Sequence, residues 1–130
     1  MIELRIQTGS GVPVYLQIVH QVKHALRLGL LKPGDQMPTI RELVASLAIN
    51  PNTVMKAYRE LEMEGLIGGR PGQGTFVSNA IPGAALPDIE EMRAGLLQWI
   101  ARARERGLDT ESIVALFSTT IQQESRRVVA

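Results

Sequence analysis

Between residues 49 and 63 the chain reads INPNTVMKAYRELEM, and its polar members recur at helical spacing. Val54, Ala57, Tyr58 and Leu61 fall on one side of a helical wheel, and Asn52, Lys56, Arg59 and Met63 fall on the other, with Thr53 at the flank. Amide and hydroxyl groups donate and accept hydrogen bonds; an ammonium or guanidinium only donates. This set suits non-covalent recognition: amides and cations can meet base edges in the major groove of duplex DNA, and phosphates beside it. Asn50 stands where its side-chain oxygen would cap the helix, and the exposed N-terminus with Asn50, Asn52 and Thr53 favours a phosphate through the helix dipole. A second cluster, RPGQGT at residues 70–75, joins Arg70, Gln73 and Thr75 to Gly72 and Gly74. Glycines keep bulk off a loop tip that must follow a phosphate backbone or enter a minor groove, while Arg70 and Gln73 supply the reach. Arg41, in the first turn of an earlier helix, is placed to meet a backbone phosphate.

Other chemistry finds less support. His20 and His24 are spaced to share a metal, but residue 21 is Gln and no third ligand is evident, so they read as structural or solvent-facing. GQGT lacks the lysine of a phosphate-binding loop, and no Ser/His/Asp or paired-carboxylate arrangement suggests catalysis. The expectation is a non-enzyme with no metal and no cofactor. The chain has 130 residues, 45% of them hydrophobic, which suffices for a core, and no cysteine, which fits a reducing cytoplasm. MIELRI carries Glu3 and Arg5 and has no apolar run of a signal peptide, and Gly, Pro and Gln interrupt the uncharged stretches at 6–22 and 71–87. No membrane partner is expected. Net charge is +1; residues 1–79 hold eight Lys/Arg against six Asp/Glu, and residues 80–130 hold six against seven. A polyanion would therefore be met by a local patch, not by a basic body.

The elements that must position these groups follow from periodicity and capping. Ile2, Leu4 and Ile6 alternate with polar residues, which predicts a short strand. Tyr15, Ile18, Val19, Val22 and Leu26 make the stripe of a helix over 13–28, stopped by Gly29. KPGDQMP reads as a turn or loop. Thr39 and Glu42 form a capping box for a short helix over 40–47, and Pro51 suits the first position of a helix over 51–64. Two short strands, 66–67 and 75–77, flank the glycine-rich loop. The order helix, short helix, tight turn, helix, hairpin is that of a winged helix-turn-helix, expected over residues 1–79. An uncharged Pro/Gly-containing stretch supplies a linker at 80–87. Residues 88–130 then read as a helical hairpin: one helix capped by Asp88 with Glu91 and running to about 106, a second starting near 109–110, and a frayed RRVVA end. The fold class is thus mainly α with a small β wing and a C-terminal two-helix hairpin.

Residues 33–77 carry PGD-x-x-P, REL, TV, ELE-x-EGL and GQGTFV in the order and spacing of the DNA-binding domain of the GntR family of bacterial transcription regulators. The INPNTV-x-KAY variant and the short all-helical tail resemble the YtrA subfamily. The resemblance implies base or phosphate contacts from the positions of Arg41, Asn50, Asn52, Thr53, Lys56, Arg70, Gly72 and Gly74. Relatives outside the subfamily place arginine where Pro51 and Met55 stand here, so Asn52 and Lys56 are expected to take over base reading. A winged helix used only for protein contacts would show the same pattern.

A hairpin of about 40 residues rarely makes a stable core alone. Its two helices leave apolar edges open at Met92, Leu96, Leu97, Trp99, Ile100, Leu116 and Phe117, and a second copy across a two-fold axis would cover them. The expectation is a homodimeric regulator, more often repressing than activating, on a pseudo-palindromic operator. The tail is too small for an obvious metabolite pocket, and no effector is indicated.

Overall fold

The computed structural model describes residues 3–81 and 89–129. Leu4, Ile6 and the half-buried Tyr15 pack around a core whose fully buried side chains are Ile18, Val22, Leu26, Met37, Val54, Leu61 and Val77. Those residues come from α1 (Val14–Arg27), the loop before α2 (Ile40–Leu47), α3 (Pro51–Met63) and β2 (Gly74–Val77), which pairs antiparallel with β1 (Ile67–Arg70). α3 is the hub: it packs on α1, α2 and β1. Lys23 of α1 donates to the Glu64 carboxylate at the end of α3, 2.8 Å away, fastening the two helices at their rim.

The helix ends explain the boundaries. Thr39 Oγ1 accepts from the Glu42 N–H at 3.0 Å, and Asn50 Oδ1 accepts from the Asn52 N–H at 2.8 Å, each satisfying a first-turn donor. Gly29 and Gly65, at φ 74° each, close α1 and α3 with the left-handed residue that such endings require. At the end of α2 that conformation is taken by Ala48, φ 54°, whose Cβ is crowded there. Ala48 with Ile49 forms the turn of the helix-turn-helix.

One expectation is corrected. The N-terminal segment is not a strand: its backbone is paired by side chains of α1. Arg5 N–H donates to Gln21 Oε1 at 2.9 Å and Gln21 Nε2 donates to the Arg5 carbonyl. Gln7 N–H donates to Gln17 Oε1 at 2.8 Å, and Gln17 Nε2 donates to the carbonyls of Gln7, 3.0 Å, and Val12, 2.9 Å. Each glutamine amide presents N–H donors and a carbonyl acceptor, the same kinds of group a neighbouring strand would offer. The loop before α2 is a turn followed by an extended stretch, as expected, and it joins the two-stranded sheet through a single bridge, Gln36 to Phe76. Lys32–Asp35 makes a Pro-Gly turn with Gly34 at φ 94°. Residues 34–37 then line the free edge of β2: Gly34 N–H donates to the Val77 carbonyl, Val77 N–H to the Asp35 carbonyl and Met37 N–H to the Thr75 carbonyl, at 2.8–2.9 Å.

The chain divides into two compact units, residues 1–87 and 88–130. The second holds α4 (Ile89–Glu105) and α5 (Thr110–Val129), so the C-terminal end is helical to Val129 and not frayed, with Arg126 and Arg127 in a last turn whose dipole favours cations. Between them Gly107, φ 94°, ends α4, and Asp109 Oδ1 accepts from the Ser112 N–H at 2.8 Å to start α5. Hydrogen bonding from Ser112, its side chain first and its backbone N–H second, holds the Asp109 carboxyl below its ordinary pKa. The expected cap at Asp88, and most of the expected linker, lie outside the described residues.

Relief of the left-handed alanine gives a stability test. Ala48→Gly should stabilise the first unit by about 1 kcal/mol and raise its Tm by about 4 °C, read by thermal melting.

Candidate nucleic-acid interface

The stripe Val54, Ala57, Tyr58 and Leu61 is buried along α3. Asn52, Met55, Lys56, Arg59 and Met63 are exposed, and Thr53 is half-buried. The amphipathic reading of this helix therefore holds in three dimensions. Asn50 has its Oδ1 committed to the Asn52 N–H, which leaves its amide N–H₂ for an outside acceptor. Asn52 lends only its main chain to that cap, and its side chain stands in solvent.

Tyr58 sets the tilt of α3. Its hydroxyl donates to the Pro38 carbonyl in a buried contact, joining α3 to the segment that runs along β2. Burial, with the Glu42 carboxylate as a second cause, pushes the phenol above its ordinary pKa of 10. Arg41, one turn of sequence from Thr39, is exposed on α2 and takes part in no ion pair among the described residues.

The wing tip is a second Pro-Gly turn. Gln73 N–H donates to the Arg70 carbonyl at 2.9 Å across Pro71 and Gly72, with Gly72 at φ 74°. Gln36 Nε2 donates to the Gln73 carbonyl at 3.3 Å and sits 3.1 Å from where a Cβ on Gly74 would be; Gly74 itself lies at φ 117°. Gly74 is thus required twice, by its dihedral and by the close approach of Gln36. Gln73 is exposed, whereas Thr75 is half-buried and its carbonyl is held in the sheet by Met37.

Three contributors escaped the reading of the residues. Tyr15 looked like one more apolar stripe position, yet Lys56 Nζ lies 4.1 Å from its ring centroid. Phe76 looked like a strand filler, yet the Arg70 guanidinium carbon lies 4.2 Å over its ring. Gln36 looked like part of a turn. Only non-local geometry discloses all three.

In the second unit Ala103 and Ile113 are buried, Trp99 and Ile100 are half-buried, and Met92, Leu96, Leu97, Leu116 and Phe117 are exposed. Leu96, Trp99, Leu116, Phe117, Thr120 and Ile121 line an open apolar groove of about 440 Å³. His20 and His24 are both exposed, and no group of three candidate metal ligands occurs among the described residues. Among those residues no helix is long and apolar enough to cross a membrane.

The geometry has counterparts among known proteins. Residues 14–77 match the family model described as bacterial regulatory proteins, gntR family. The HTH-type transcriptional repressor YtrA of Bacillus subtilis (strain 168) is 39% identical over 111 residues, covering 85% of each chain. A crystal structure of a transcriptional antiterminator from Listeria monocytogenes EGD-e is 34% identical, with a TM-score of 0.60, over 94% of this chain and 92% of that one. The AraR DNA-binding domain in complex with operator ORX1 is 28% identical, with a TM-score of 0.52, over 59% of this chain and 96% of that one.

The Tyr58 contact generates a pH test. Its folded-state pKa lies above the unfolded value, so its contribution is intact below pH 10 and is lost as pH rises further, by up to about 1.4 kcal/mol per pH unit. Tyr58→Phe should remove that slope and cost about 1–3 kcal/mol at neutral pH by leaving the Pro38 carbonyl unpaired. Urea titrations at neutral and alkaline pH measure both effects.

Proposed function

The chain belongs to the GntR family and is a transcription regulator with a DNA-binding winged helix-turn-helix; from that premise we propose that it is a homodimeric repressor of a pseudo-palindromic operator. The observation that carries the reading is the division of α3 into a buried stripe and an open face bearing Asn52, Lys56 and Arg59. An exposed helix face of that width fits the major groove. In this reading Asn52 and Lys56 meet base edges. Asn50, Thr53 and Arg59 flank them, and Arg41 meets the phosphate backbone. The wing, with Arg70, Gln73 and Thr75 around Gly72 and Gly74, follows the backbone or the minor groove alongside.

The tail supplies the second half of the proposal. Among the described residues the two helices bury a single residue apiece, Ala103 and Ile113, too little apolar surface to hold a hairpin in place. A second copy laid over the groove of Leu96, Trp99, Leu116 and Phe117 would bury it, and would also cover Met92, Leu97 and Ile100. Two winged units would then face two half-sites one helical turn of DNA apart, or a multiple of it. Repression would follow from occupying the promoter against polymerase. The similar YtrA of Bacillus subtilis carries the name of a repressor.

A winged helix turned to protein partners is the second reading, favoured by the exposed Met55 and Met63 and the net charge of +1. Salt separates the two. Binding that neutralises four or more phosphates should weaken about 10²-fold between 50 and 200 mM salt, in fluorescence anisotropy on a duplex from the region upstream of its own gene. Lys56→Glu or Arg41→Glu should abolish that binding with little change in Tm; indifference to salt and to both substitutions would support a protein partner instead. The dimer is tested separately: Phe117→Glu should yield a monomer in light scattering, and residues 1–80 alone should bind the duplex about 10²-fold more weakly than the full chain. Equal affinity for the truncated chain would refute the dimer.

A further inference from the structure

We infer that Tyr15 and Phe76 are positioning residues: each holds on its ring a cation, Lys56 on Tyr15 and Arg70 on Phe76, that reaches for DNA phosphate or base. The inference rests on the DNA-binding reading above and adds to it the means by which a nearly neutral protein grips a polyanion.

Two separate contacts carry it. Lys56 Nζ is 4.1 Å from the centroid of Tyr15, a residue of another helix, and Arg70 is 4.2 Å above Phe76, a residue of the neighbouring strand. Both distances fall within the range in which a ring face attracts a cation. Both cations are exposed, and neither belongs to an ion pair among the described residues, so the ring is the partner that orients each. Both rings are themselves anchored. Tyr15 packs against the core from the first turn of α1, and Phe76 faces Gly68 across the sheet and bridges to Gln36 on its other side.

The physical effect is preorganisation. A long cationic side chain that wanders in solvent loses rotamer freedom when it docks, and that loss subtracts from affinity. A side chain already laid on a ring has lost much of it beforehand. The ring covers one side of the cation, and the exposed side keeps N–H donors free for an anion. With eight Lys/Arg against six Asp/Glu in residues 1–79, the surplus of positive charge is too small to substitute for placement. The pairing also crosses elements: Lys56 on α3 is steadied by α1, and Arg70 on β1 is steadied by β2, so helix and wing present their cations from fixed positions.

Anisotropy titrations on the same upstream duplex, at a salt concentration low enough for every variant to bind, test the inference. Tyr15→Leu and Phe76→Leu should each weaken binding about two- to fivefold, and Tyr15→Phe and Phe76→Tyr, which keep a ring, should stay near wild type. The deciding readout is the double-mutant cycle. The Tyr15→Leu loss should vanish in a Lys56→Met background, and the Phe76→Leu loss in an Arg70→Met background. A loss that persists in the Met backgrounds would overturn the inference by showing that the rings only support the fold. Unchanged or tighter binding by the Leu variants would overturn it by showing that the rings hold the cations off the DNA. In either case a wild-type chain that binds with the expected salt dependence leaves the DNA-binding reading standing; a wild-type chain that does not would remove both.

Discussion

Four side chains on one helix, Val54, Ala57, Tyr58 and Leu61, constrain everything else in the first unit. Their burial against α1, α2 and β1 fixes the rotation of α3 about its own axis, and with it which side chains remain in water. A helix has about 3.6 residues per turn, so committing one stripe leaves no choice for the other. Asn52, Lys56 and Arg59 are outside because those four are inside. Substituting within the stripe would therefore disturb the presented face without touching a residue on it. Tyr58 adds a directional constraint to the apolar ones: a hydroxyl that must reach one particular carbonyl, that of Pro38, stops the helix from sliding along its neighbours.

The same hub joins helix and wing. Residues 34–37 run beside β2, the next residue accepts from Tyr58, and Thr39 then caps α2. Six consecutive residues thus touch the sheet, the recognition helix and the helix before it. The PGD-x-x-P pattern in this segment has a physical account in these terms. Pro33 and Gly34 make the turn that brings the segment to the edge of β2, Asp35 accepts back from the Lys32 N–H at 2.9 Å, and Pro38 offers its carbonyl to Tyr58.

Helices were legible in the residues because their signals are local. Threonine and asparagine caps, a proline at the first position of α3 and glycines after α1, α3 and α4 mark ends without reference to the rest of the chain. What was not legible depended on partners distant in sequence. The alternation at Leu4 to Gln7 is real, with Leu4 buried and Arg5 exposed, but period two records only that a segment is extended and half-covered. It does not record whether a strand or a row of glutamines does the covering. KPGDQMP is the loop that its Pro and Gly announce, but its backbone hydrogen bonds to a sheet about 40 residues later leave no local signal. At the candidate site, the polar face could be read from the wheel, whereas the rings beneath Lys56 and Arg70 could not, since an aromatic residue in an apolar stripe looks the same whether or not a cation rests on it.

The glutamine ladder on α1 bears on how this molecule avoids its own kind. An extended segment with free amides and carbonyls is a template onto which another chain can add a strand. Here Gln21 and Gln17 pair the N–H and carbonyl groups of Arg5 and Gln7 on the side facing α1, and residues 34–37 cover the outer edge of β2. The outer edge of β1 is four residues long with Gly68 and Gly69 at its middle, and it offers an incoming strand no apolar ladder to pack on. Fibrillar stacking through this short sheet is thereby disfavoured.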